Sequence, residues 1–90
     1  MKYYHRFATA GTDTIKKGPA GTHTSLTRIY ITADAQSTVT FTDTVKTYVI
    51  DAMPGVNNPF DYELPFTENQ DITITVSGGN VSVFADTFTH

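Results

Sequence analysis

Nine carboxylates, three histidines, four serines and no cysteine are the side chains from which this 90-residue chain could build a reactive centre. Calcium needs roughly six to eight oxygen ligands converging on one point. Asp13, Asp34, Asp43, Asp51, Asp61, Asp71 and Asp86 instead occur singly, mostly at strand ends or turns, where an aspartate bonds its own local backbone. His5, His23 and His90 are scattered, and no two share the short spacing that would aim two imidazoles at one metal. His90, as the last residue, is expected to be loose. Without cysteine there is neither a disulfide nor a thiolate zinc site, and this points weakly to assembly in a reducing cytosol. No Gly-x-Ser-x-Gly elbow offers an acyl-transfer nucleophile. Glu63 and Glu68 could form a glycosidase-type carboxylate pair, and nothing in the sequence selects them over two solvated surface glutamates. Gly18-Pro19-Ala20-Gly21 and Gly78-Gly79 read as turns, because a phosphate-binding loop needs a helix N-terminus after it. Asn80-Val81-Ser82 fits the glycosylation tripeptide, a pattern frequent by chance that also requires a secretory route. The expectation is a non-enzymatic protein with no catalytic residues, no cofactor and no metal.

The elements that would have to position any site are strands. Seventeen threonines alternate with Val, Ile, Phe and Tyr, and β-branched side chains lose rotamers in a helix but fit a pleated surface. A period of two predicts strands at Tyr3–Ala8, Asp13–Lys17, Thr24–Thr32, Thr38–Thr42, Lys46–Asp51 and Tyr62–Phe66. Thr27, Ile29 and Ile31 are expected on one face, as are Val39 and Phe41. The consecutive Tyr48, Val49 and Ile50 suit a strand covered on both sides. Pro65 cannot donate to a ladder, which points to an edge or a bulge. Ile72, Ile74 and Val76, then Val81, Val83 and Ala85 across Gly78-Gly79-Asn80, read as a hairpin over Asp71–Asp86. Between turn-forming clusters, strands recur about every ten residues, the spacing of a sandwich or small barrel. Apolar residues nowhere keep a helical period for three turns. The fold class expected is all-β: a single β-sandwich or jelly roll of seven to eight mostly antiparallel strands over residues 1–90, with residues 1–12 open to reading as an N-terminal arm.

A chain of this length has one core, and small folds often lean on a metal or a partner subunit. A net charge of −3 offers no basic excess to a phosphate backbone, so nucleic acid is not an expected partner. No apolar run is long enough to cross a bilayer, and Met1–Arg6 lacks the apolar stretch of a signal peptide. Two segments are left over once turns and strand faces are assigned. Met53–Phe60 is a Pro- and Gly-punctuated loop that nevertheless carries Met53, Val56 and Phe60, which either plug one end of the core or contact another chain. Tyr3, Tyr4 and Phe7 belong either to an ordinary first strand, the preferred reading, or to an arm that adds to a neighbour's sheet edge. These six residues are the candidate protein interface.

Four short motifs stand in a fixed order: Thr14-Ile15-Lys16-Lys17-Gly18-Pro19, Ser37-Thr38-Val39-Thr40-Phe41-Thr42-Asp43, Leu64-Pro65-Phe66 and Ile72-Thr73-Ile74-Thr75-Val76-Ser77-Gly78. In this order they resemble a group of small structural proteins of tailed bacteriophages, over roughly Thr14 to Phe84. The chain departs from that pattern at Asp43-Thr44-Val45-Lys46, where a Gly-rich turn is usual, and in the bulky loop at Met53–Phe60. The resemblance implies a virion β-sandwich that decorates or cements the capsid, made in the host cytoplasm and carried on the capsid surface. Its implied partners are the major capsid protein and copies of itself, a trimer being favoured. The rival expectation is a receptor- or carbohydrate-binding module of a phage tail or fibre, with Tyr30, Tyr48 and Tyr62 stacking on sugars.

Overall fold

The alternation of threonine with apolar residues is realised as strand throughout. The computed structural model describes residues 2–54, 58–60 and 63–90, with backbone alone at 58–60. In chain order the strands are β1 (Lys2–Phe7), β2 (Gly11–Ile15), β3 (Thr24–Ala33), β4 (Ser37–Thr42), β5 (Thr47–Ala52), β6 (Asn58–Phe60), β7 (Leu64–Pro65), β8 (Ile72–Val76) and β9 (Val81–Thr89). No helix occurs among the described residues.

The strands form two antiparallel sheets. One has the order β1-β9-β3-β6, with β7 also pairing β3, and the other has the order β2-β8-β4-β5. β6 lies against Ile29–Ile31 and β7 against Ser25–Leu26, so the two short strands share one lane along β3. Strands β1 to β4 therefore pair in turn with β9, β8, the β6–β7 lane and β5. That is a long hairpin rolled onto itself, the winding of a jelly-roll sandwich. Pro65 stands on the edge lane, where its missing donor costs no ladder bond.

Each sheet turns one row of every strand inward. Phe41, Val39, Ile72, Ile74 and Val76 from one sheet meet Leu26, Ile29, Ile31, Val81, Val83 and Phe7 from the other, and all are buried. At about 1.5–3 kcal/mol for each large apolar side chain taken out of water, this layer is the main favourable term of the fold.

Three sequence expectations need correction. Ile72–Val76 and Val81–Ala85 are not a hairpin: β8 pairs β2 and β4, while β9 pairs β1 and β3 in the other sheet. Their apolar rows face one another across the core, so the same alternation arises without hydrogen bonding between them. The connection crosses tightly over the β1–β2 link. A Cβ on Gly79 would lie 2.6 Å from the Ala8 carbonyl oxygen, and Asn80 takes a left-handed φ of 57°. Secondly, Thr27 does not share a face with Ile29 and Ile31. The β3–β9 register shifts between Thr27 and Tyr30, with Arg28 at φ 49°. Two residues opposite one make a β-bulge, which moves the inward phase from Leu26 to Ile29 and turns Thr27 outward beside Asp86. Thirdly, β5 is not covered on both sides. It is the edge of its sheet, with Tyr48 and Ile50 packed on the core and Val49 in solvent.

Candidate functional site

Most of the described polar groups that might do chemistry are engaged in the fold's own joints. Where the free edges of β1 and β2 approach, the Tyr3 hydroxyl donates to Asp13 Oδ2 at 2.7 Å and His5 Nδ1 lies 3.4 Å from the same oxygen. Burial, the hydrogen bond to Asp13 and the negative charge of Asp13 push the Tyr3 phenol well above its ordinary value. The Tyr3–Asp13 bond is a strut between the two sheets. Asp43 closes the β4–β5 turn: its Oδ1 accepts from the Val45 and Lys46 amides at 2.7 and 2.6 Å, and its Oδ2 from the Thr67 amide at 2.7 Å. Burial alone would raise this carboxyl, but the backbone donors outweigh it and hold Asp43 below the usual range. Asp71 accepts from the Lys17 amide, Asp51 from the Thr38 hydroxyl, and Asp86 pairs with Arg28. Among the described residues no three of His, Asp and Glu gather as a metal site would require. Glu63 and Glu68 are both exposed.

The histidines are less scattered than their spacing suggests. His23 and His90 exchange two backbone hydrogen bonds, at 2.8 and 2.9 Å, and their rings stack at 6.1 Å. His90 is therefore tied down rather than loose, because the end of β9 continues pairing with the residue that leads into β3. His90 Nε2 also lies 3.1 Å from Ser25 Oγ, the kind of contact an activated serine needs. Ser25 is fully buried beneath it, so no substrate reaches that hydroxyl.

What remains is surface, and the two outer faces differ sharply. On the β2-β8-β4-β5 sheet the outward positions are threonines in register, Thr12 with Thr75 and Thr40, and Thr14 with Thr73, Thr42 and Thr47. Some bond laterally, Thr12 to Thr75 at 3.3 Å and Thr42 to Thr47 at 3.0 Å. On the other sheet, Tyr4 of β1, Phe84 of β9 and Tyr30 of β3 form one continuous cross-strand row. Their ring centroids are 4.5 Å apart for Tyr4–Phe84 and 6.4 Å for Phe84–Tyr30. All three remain exposed, at 54%, 42% and 38%, and Phe88 further along β9 is 57% exposed. Polar rows flank the aromatic one: Arg6, Ser82 and Thr32 on one side, and Lys2, Asp86 and Thr27 on the other.

Of the expected interface residues, Tyr4 lies in this row. Tyr3 is half-buried and bonded to Asp13, and Phe7 belongs to the core at 4% exposure, so it is no surface contact. β1 is an ordinary edge strand paired with β9 over its whole length. Met53 is exposed at the end of β5, near exposed Val49. Val56 lies outside the described residues, and the Phe60 backbone pairs with Ile29. Of the expected sugar-stacking tyrosines, Tyr30 is in the row and Tyr62 lies outside the described residues. Tyr48 packs edge-on against Phe66 and donates to the Pro65 carbonyl. Phe84 and Phe88 escaped the sequence reading, although the inward placement of Val83 and Ala85 already sets Phe84 outward by alternation.

No protein-family profile, curated protein or solved structure matches this chain.

Proposed function

We propose that this chain is a non-enzymatic structural protein of a tailed-phage virion, which sits on the capsid surface and stabilises the shell by protein–protein contact. The observation that carries the reading is the exposed aromatic row Tyr4–Phe84–Tyr30 on the outer face of β1, β9 and β3, with exposed Phe88 further along β9 beyond Asp86. Aromatic side chains bury about 150–250 Å² each, so the three rings of the row, roughly half exposed, offer on the order of 300 Å² of apolar contact. A patch of that size is in the range of functional surface patches. It is well under half of the ~800 Å² that each partner contributes to a stable isolated complex. Modest contacts of this kind suffice where many copies bind one lattice, or where copies of the chain first associate, because linked contacts multiply. The motif order from Thr14 to Phe84 supports the phage assignment. The jelly-roll winding is shared with viral capsid and lectin domains, which supports it by analogy alone.

The partners under this reading are the major capsid protein and further copies of the chain, with a trimer as the working stoichiometry. The test is co-sedimentation of purified protein with emptied tailed-phage capsid shells, together with the shells' melting temperature. Saturable binding that raises the melting temperature supports the proposal. No binding at micromolar concentration overturns it, and a specific glycan-array signal without shell binding transfers the chain to the adhesin class.

A further inference from the structure

A second feature does not depend on the capsid reading. At one end of the sandwich, where β1, β2 and the end of β9 splay around the Gly18-Pro19 turn, a cleft of about 550 Å³ opens between the sheets. Tyr3, Ile15 and Pro19 line it, and Tyr3 and Ile15 also pack against the hydrophobic core. The volume falls within the roughly 300–1,000 Å³ of small-molecule sites. Three lysines, Lys2, Lys16 and Lys17, also line the cleft, and all three are exposed. They are half of the six basic side chains in a chain whose net charge is −3. Among the described residues Lys16 alone of the three has a carboxylate within ion-pair distance, Asp71 at 3.8 Å. The nearby Asp13 is engaged by Tyr3 and His5.

A cleft lined by both apolar side chains and lysines is complementary to one kind of small molecule. We infer that this cleft binds an amphiphilic anion, a free alkyl carboxylate whose chain lies along Tyr3, Ile15 and Pro19 and whose head group meets Lys2 and Lys17. The apolar lining alone would accept any apolar chain, and the lysines alone any anion. Selectivity comes from requiring both in one cleft. A phosphate or acetate ion leaves the apolar lining wet, and a neutral alcohol leaves the ammonium groups without a partner.

The experiment is isothermal titration of the full chain with hexanoate, octanoate and decanoate, each below its micelle concentration, with decanol and acetate as controls. Transfer of each methylene from water predicts about threefold to fourfold tighter binding per carbon. Decanol should bind at least roughly tenfold more weakly than decanoate, and acetate not measurably. Lys2→Gln with Lys17→Gln should bring decanoate to the level of decanol, since both side chains are exposed and the fold does not depend on them. Thr89→Phe, which places a ring in the cleft wall, should abolish binding of both. Amide shifts on adding decanoate should centre on Tyr3 and Ile15. Equal affinity for decanol and decanoate, affinity independent of chain length, or shifts elsewhere on the molecule overturn the proposal. So does binding to phosphatidylglycerol vesicles without binding to monomeric decanoate.

Discussion

Asp43→Ala removes one small side chain from a turn, yet it should rank among the costliest polar substitutions in the molecule. The Asp43 carboxylate accepts three backbone N–H groups, two within the β4–β5 turn and one from Thr67 on the connection between β7 and β8. It therefore fixes the turn and ties it to a segment arriving from the opposite sheet. Hydrogen bonds to a charged group contribute about 1.5–3 kcal/mol each, and bonds sharing one carboxylate do not add. The exposed Val45 amide turns to water after the substitution, whereas the half-buried Thr67 amide does so less readily. The total loss expected is about 2–4 kcal/mol, against the roughly 5–15 kcal/mol that holds a typical domain together. Urea unfolding followed by tyrosine fluorescence and near-ultraviolet circular dichroism measures it. With a slope of about 1 kcal/mol per molar, the midpoint should fall by roughly 2 M or more. Asp43→Asn keeps an acceptor for Val45 and Lys46 but turns an amide donor toward Thr67, so it should fall between the two. The pH dependence has a definite sign. Because the folded-state pKa is lowered, the contribution is fully present above the ordinary aspartate value and is lost as pH falls through the folded one. Wild type should therefore lose stability below about pH 4 more steeply than Asp43→Asn. An alanine variant within about 0.5 kcal/mol of wild type, or identical acid profiles, would refute the reasoning.

Other perturbations address the core, the strut and the crossover. Phe41→Ala opens a cavity at the centre of the sandwich and should cost about 3–5 kcal/mol in the same urea assay. Tyr3→Phe leaves Asp13 with His5 alone and should cost about 1–2 kcal/mol. In an ultraviolet titration of the wild type, Tyr3 should stay protonated beyond the ordinary tyrosine range. Its raised folded pKa means that this stabilisation is present below about pH 10 and is lost only as pH rises through the folded value. Gly79→Ala would push a methyl group against the Ala8 carbonyl and should destabilise by about 1–3 kcal/mol, whereas Gly11→Ala has ordinary room and should be tolerated.

The period-two pattern made the strands, their inward residues and the all-β class legible, because which side of a strand meets the core is a local property. Pairing is not local. Val76 and Val81 show the same alternation whether β8 and β9 share a sheet or face each other across the core, so the expected hairpin was indistinguishable from the observed crossover. The bulge at Arg28 was equally hidden, since its effect is a phase shift that only the neighbouring strand's register reveals. The candidate surface divides in the same way. Tyr4 and Tyr30 were visible as aromatic strand residues, but the row they form with Phe84 exists only through lateral pairing of three strands distant in sequence. The cleft lined by the three lysines needs the far end of β9 to complete its wall, and nothing near Lys16 and Lys17 in the chain announces Thr89.

The central claim is that the aromatic face, and not the threonine face, docks on a protein shell. The direct measurement compares Phe84→Lys with Thr75→Lys, one outward charge on each sheet, in co-sedimentation with emptied capsid shells. Truncating or charging a contact residue at the centre of an interface costs about 2 kcal/mol or more, roughly a thirtyfold loss of affinity. Phe84→Lys should lose at least that much while melting like wild type, and Thr75→Lys should bind undiminished. Equal binding by both variants, or loss confined to Thr75→Lys, would contradict the account.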